Sequence, residues 1–114
     1  MSAKKRIGVK IPVAITIASS DCRGGAGIQA DLKTFAALGV HGSTAITSVT
    51  AQEGSSPVIL DNVTTMMIKK QIAAVASDMH IDAGKTGMLS TCKIIKTVAS
   101  ETSRYDFPLS LIHI

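Results

Sequence analysis

Four small residues in a row, Gly24-Gly25-Ala26-Gly27, stand between an apolar run and a segment of helical periodicity. Glycine lets a backbone approach a ligand closely, and a helix start offers unpaired N–H groups, so such a loop can hold a polar or anionic ligand. A tight turn needing φ > 0 would have the same composition. The loop is not G-x-G-x-x-G either, because Ile28 to Ala30 bring no third glycine. Asp31 falls within about one turn of the helix start, where a carboxylate either complements the helix dipole or faces a ligand. Gln52 follows Thr50 at the end of a strand-like run. Its amide sets a donor beside an acceptor, the pattern of a heterocycle edge, and a solvated glutamine would look the same. Gly84-Lys85-Thr86 ends like a phosphate-binding P-loop, but the required earlier glycine is replaced by Met79. A polar turn from which Lys85 can face a cleft is the better reading. His41, His80 and His113 share no metal or triad spacing, and Cys22 and Cys92 form no CxxC pair. Both cysteines read as free thiols, and no metal site is expected.

These residues need elements to hold them. Val13 to Ala18 is a near-continuous apolar run of buried-strand length. Ile28, Leu32, Phe35 and Ala36 make one helical face, with Gly39 where a C-cap glycine belongs. Ser43 to Thr50 is rich in Thr, Val and Ile and reads as a second strand, whereas Gln52 to Asn62 has the composition of a loop. Thr64 or Thr65 caps a helix with the face Ile68, Ile72, Val75 and Met79; the Met66-Met67 pair and Met79 are assigned to the core. A short strand spans Ile81 to Lys85. Ser90 caps a last helix carrying Ile94, Ile95, Val98 and Ala99, and Tyr105 to Pro108 leads into an apolar stretch ending at Ile114. The alternation predicts an α/β fold with a parallel, doubly wound sheet. Ligands of such sheets sit beyond the carboxyl ends of the strands, where the glycine loop, Gln52 and the Lys85 to Met88 turn converge.

Of the 114 residues, 46% are hydrophobic and 18% charged, which fits one globular domain and excludes disorder. The apolar runs fall far short of the roughly 18 residues of a membrane span. The net charge of +4 is carried by Lys4, Lys5, Arg6 and Lys10; from residue 11 onward basic and acidic side chains balance. Residues 1–12 therefore read as a basic tail, and no nucleic-acid or membrane partner is expected. Pro12, Thr16 and Asp21 interrupt what could be mistaken for a signal peptide, which leaves the cytoplasm as the expected location.

Taken together, Ala14-Ile15-Thr16-Ile17-Ala18-Ser19-Ser20-Asp21 followed by Gly24-Gly25-Ala26-Gly27-Ile28-Gln29-Ala30-Asp31-Leu32-Lys33-Thr34-Phe35 closely resembles the opening of the hydroxymethylpyrimidine/phosphomethylpyrimidine kinases of thiamine biosynthesis. Ala37-Leu38-Gly39-Val40-His41-Gly42, Ile46-Thr47-Ser48-Val49-Thr50-Ala51-Gln52 and Lys85-Thr86-Gly87-Met88-Leu89 continue the match in order and spacing. The resemblance implies a ribokinase-like three-layer α/β sandwich with a mainly parallel sheet, and two ATP-dependent phosphorylations. The first is on the hydroxymethyl oxygen of 4-amino-5-hydroxymethyl-2-methylpyrimidine and the second on its monophosphate. By position it implies that Gln52 hydrogen-bonds the aminopyrimidine, that Asp31, Ala26, Thr50 and Met88 complete the wall, and that Gly24, Gly25 and Gly27 form a flexible loop. Ser19, Cys22, Arg23 and Glu53 depart from the family's usual residues, and Arg23 beside the loop could narrow it or meet a phosphate. A pyridoxal or pyridoxine kinase of the same superfamily, or a non-catalytic ligand-binding α/β module, are the alternatives.

The resemblance runs from residue 13 to residue 109. It stops before the Gly-Thr-Gly-Cys anion hole and most of the pocket for ATP and Mg2+ that it implies. Phosphoryl transfer is mostly positioning and electrostatics, so the expectation is an amino-terminal portion with no catalytic residue present, inactive alone, from a parent compatible with a homo-oligomer. Residues 110–114 of Leu109-Ser110-Leu111-Ile112-His113-Ile114 are expected to be non-native, since the hexapeptide resembles a translated transposon-end adapter.

Overall fold

A computed structural model describes residues 5–6, 9–56 and 58–111. The elements are β1 (Lys5–Arg6), β2 (Val9–Lys10), β3 (Val13–Asp21), α1 (Gly27–Ala37), β4 (His41–Ala51), β5 (Ile59–Asn62), α2 (Thr65–Asp78), β6 (Ala83–Thr86), α3 (Cys92–Thr102) and β7 (Leu109–Leu111). The main sheet has the order β5-β4-β3-β6-β7, and β1 and β2 form a separate antiparallel pair.

Strand β3 is central, paired in parallel with β4 on one side and β6 on the other. It is buried without a break from Val13 to Ser19 because both of its faces are covered. On one face lies α1: a side chain at Gly42 of β4 would collide with Leu32 and Phe35 of that helix. On the other face Ile15, Ile17 and Ala45 meet Ile68 and Ile72 of α2 and Ile94 and Val98 of α3, with Ile81 completing the core. The result is a three-layer α/β sandwich with a mainly parallel sheet.

Several sequence expectations need correction. The Gln52 to Asn62 segment is not wholly loop: Ile59 to Asn62 pairs antiparallel with β4, so the sheet is mixed. Its alternation is too short and too polar to register as a strand, and pairing along β4 supplies the order. The N-terminal tail contributes the two short strands β1 and β2. Met66 and Met67 are exposed, at 71% and 53%, because they precede the Ile68/Ile72 stripe by two residues and one residue respectively and so point away from it. On α3 the buried stripe is Ile94, Thr97, Val98, Glu101 and Thr102, leaving Ile95 and Ala99 outside it. The cap of α3 is Thr91, whose Oγ1 accepts from Ile94 N at 3.1 Å, and not Ser90. Thr64 caps α2 in the same way through Met67 N, and Gly39 ends α1 at φ +73°. Ser110 and Leu111 pair with Lys85 and Thr86 as part of β7, a pairing that does not bear on the origin of residues 110–114; residues 112–114, with His113, lie outside the described residues.

Candidate functional site

The pairing of β3 with β4 shifts by one residue between Ala18 and Ser20, so β4 carries a bulge at its carboxyl half. Bulges re-aim the strand beyond them. The Ile46 peptide, which β5 does not reach, is satisfied instead by Gln71 of α2: Oε1 accepts from Ile46 N at 2.8 Å and Nε2 donates to Ile46 O at 2.9 Å. Past the bulge, Thr50 donates through Oγ1 to Ser20 O at 3.0 Å, tying the ends of the two central strands together.

From there the chain enters the glycine loop, and Gln29 and Asp21 organise it. Gln29 Oε1 accepts from Asp21 N at 2.9 Å, and its Nε2 donates to Ser20 Oγ at 2.7 Å. The Asp21 carboxylate accepts from the backbone N–H groups of Arg23, Gly25 and Ala26 at 3.2, 3.1 and 3.0 Å. The Arg23 N–H, then those of Gly25 and Ala26 and the nearby Arg23 charge, hold this carboxyl below its ordinary 3.8 against a smaller opposing effect of burial. Gly27 sits at φ +62°, and a Cβ there would lie 2.3 Å from Ser19 O, so only glycine lets α1 start this close to the end of β3.

Beyond these strand ends opens a cavity of about 860 Å³, within the usual size of a small-molecule site. Ala26, Asp31, Thr50, Gln52, Met88, Gly25 and Gly27 all line it; Gly24 does not. Asp31 lies beyond the first turn of α1, which removes the helix-dipole reading. Its Oδ2 accepts from Thr16 Oγ1 at 2.6 Å and from Lys85 Nζ at 2.7 Å. Arg23 also lines the cavity, and its Nη2 donates to Gln52 Oε1 at 3.3 Å while Gln52 Nε2 donates to Ser56 O at 2.9 Å. Val58, Leu89, Ile95 and Leu111 add an apolar wall. The arrangement can hold a small, flat, mostly neutral ligand against apolar side chains, with an amide and a carboxylate to fix its orientation.

A family profile described as Phosphomethylpyrimidine kinase matches residues 21–111. The chain belongs to the phosphomethylpyrimidine kinase family. It is 49% identical over 94 residues to a hydroxymethylpyrimidine/phosphomethylpyrimidine kinase of Bacillus subtilis, covering 82% of this chain and 35% of that protein. The structure of phosphomethylpyrimidine kinase from Clostridium difficile superposes with a TM-score of 0.82 at 42% identity, over 88% of this chain and 44% of that one. A pyridoxal kinase of Staphylococcus aureus, solved with AMP-PCP and pyridoxal, superposes at 0.76 with 33% identity over 87% and 38% of the two chains. The chain thus spans well under half the length of these relatives. The ribokinase-like α/β fold implied by the sequence resemblance is the fold observed.

Gln29, Asp21 and Gln71 organise the site and were not singled out from sequence. Their signal lies in the side chain–backbone bonds they make across the fold, which residue spacing does not encode. Among the described residues no helix is long and apolar enough to cross a membrane.

Proposed function

We propose that this chain is the pyrimidine-binding portion of an ATP-dependent kinase that phosphorylates 4-amino-5-hydroxymethyl-2-methylpyrimidine and its monophosphate in the cytoplasm. The observation that carries it is the convergence of Gln52, Asp31, Thr50, Ala26 and Met88 on one cavity in a member of this family. In this reading the Gln52 amide pairs with the aminopyrimidine edge, Asp31 accepts from a ligand N–H or O–H, and Ala26, Thr50 and Met88 bound the ring. Gly25 and Gly27 shape the mouth and Gly24 supports the turn. Residues 13–109 act as the amino-terminal part of a kinase domain, and residues 110–114 remain assigned to non-native sequence.

ATP and Mg2+ are the cofactors of this reading. Among the described residues no group of three or more His, Cys, Asp or Glu is placed to hold a metal ion, and a Mg2+ ion bound through substrate phosphates needs only one or two carboxylates. No phosphoryl-transfer step is assigned to the described residues, and the chain by itself is expected to bind pyrimidine without turnover. Titration calorimetry with the hydroxymethylpyrimidine, and with pyridoxal as the competing alcohol, tests this. Binding of the pyrimidine in preference to pyridoxal, weakened about tenfold or more in Gln52→Ala, is the expected result. A preference for pyridoxal would move the chain to the pyridoxal kinase reading, and phosphorylation by this chain alone at a kinase-like rate would overturn the assignment of catalysis elsewhere.

A further inference from the structure

Gly84-Lys85-Thr86, expected from sequence to be a polar turn, lies within strand β6, and Lys85 is its residue that phosphate binding did not account for. In the sheet, Lys85 of β6 stands directly opposite Thr16 of β3, so both side chains leave the same face, the one α1 covers. They meet at Asp31 of that helix, and both donate to the same oxygen: Thr16 Oγ1 at 2.6 Å and Lys85 Nζ at 2.7 Å from Oδ2. Among the described residues no hydrogen bond is made to Oδ1. Thr16 is fully buried, and the side chains of Lys85 and Asp31 are 14% and 20% exposed, both at the wall of the cavity. Space for the lysine depends on Gly87, where a Cβ would lie 3.2 Å from Nζ and 2.8 Å from Ala18 Cβ.

We propose that Lys85 is a positioning residue: with Thr16 it holds Oδ2 of Asp31 and so presents Oδ1 to the cavity as the acceptor for a hydroxyl or amino group of a neutral ligand. A carboxylate with one oxygen held by two donors keeps one rotamer and directs its remaining lone pairs one way. The ammonium also cancels the carboxylate's charge at the cavity wall, which favours an uncharged heteroaromatic over a cation. This inference rests on the cavity being the pyrimidine site.

Calorimetric titration of 4-amino-5-hydroxymethyl-2-methylpyrimidine into the chain and its variants tests it, with each variant's fold checked by circular dichroism. Lys85→Met is expected to weaken binding about tenfold or more, the scale of a lost charge-assisted bond, and Lys85→Arg to restore most of it. The double variant Asp31→Asn/Lys85→Met is expected to bind no more weakly than Asp31→Asn, since the lysine acts only through the carboxylate. Wild-type affinity in Lys85→Met alongside a loss in Asp31→Asn overturns this inference and leaves the site reading standing. Equal binding by wild type, Asp31→Asn and Gln52→Ala, or no binding by the wild type, overturns the site reading and this inference with it. Should Lys85→Met fail to fold, Thr16→Val removes the other donor on Oδ2; unchanged affinity there overturns the proposal.

Discussion

Asp21 shows how a single side chain can shape a loop. Its carboxylate takes three N–H groups of the loop, those of Arg23, Gly25 and Ala26, that would otherwise face solvent or a ligand, and these bonds favour its charged form. A carboxyl whose folded pKa lies below its unfolded value stabilises the fold above the unfolded value, and that contribution disappears as pH falls through the folded one. Thermal melts of wild type and Asp21→Asn are therefore expected to differ most near pH 7. The gap should close as pH drops below about 4, the ordinary carboxylate range. A gap that stays constant down to about pH 2.5 would show that the charge contributes nothing. Asp21 was visible in the sequence only as the residue ending an apolar run. Asp31 and Gln52 were visible because the family's motif order carried them. The partner of Asp31 was not: Lys85 is 54 positions away in sequence, and only the β3/β6 register sets it beside Thr16.

At the level of elements, helix existence was legible and helix ends were less so. Three helices appear where apolar residues recur at three- and four-residue spacing, since that period exposes one stripe to a core. The start of α3 was misplaced by one residue because Ser90 and Thr91 are both competent caps, and only the backbone decides which is extended. Thr91→Ala is expected to cost about 1 kcal/mol of unfolding free energy. Ser90→Ala should cost less, its hydroxyl bonding the exposed Asn62 side chain instead. Urea denaturation of the two variants separates them, and the reverse ranking would contradict the cap assignment. Strand β5 escaped the sequence reading for a related reason: four residues of an edge strand, one face in solvent, carry no period long enough to detect. Its order comes from the ladder with β4.

Across the whole molecule, β7 pairs only with β6 among the described residues, and Leu111 at its end is 75% exposed beside a half-exposed Ile95. An apolar edge of this kind is a template for pairing with another chain. Light scattering is expected to show concentration-dependent self-association that Leu111→Lys reduces; identical profiles for the two would remove the edge as its cause. What the sequence by itself determined was the alternation of strands and helices, the buried apolar strand, the glycine-loop position and the family, because each rests on local periodicity or on contiguous motif blocks. What only the tertiary structure decided was the mixed sheet, the bulge that turns β4, the Asp21 and Gln29 bonds that close the loop, and the Lys85–Asp31–Thr16 cluster. Those features join residues distant along the chain through register and packing, and a one-residue change of register would send Lys85 to the opposite face of the sheet.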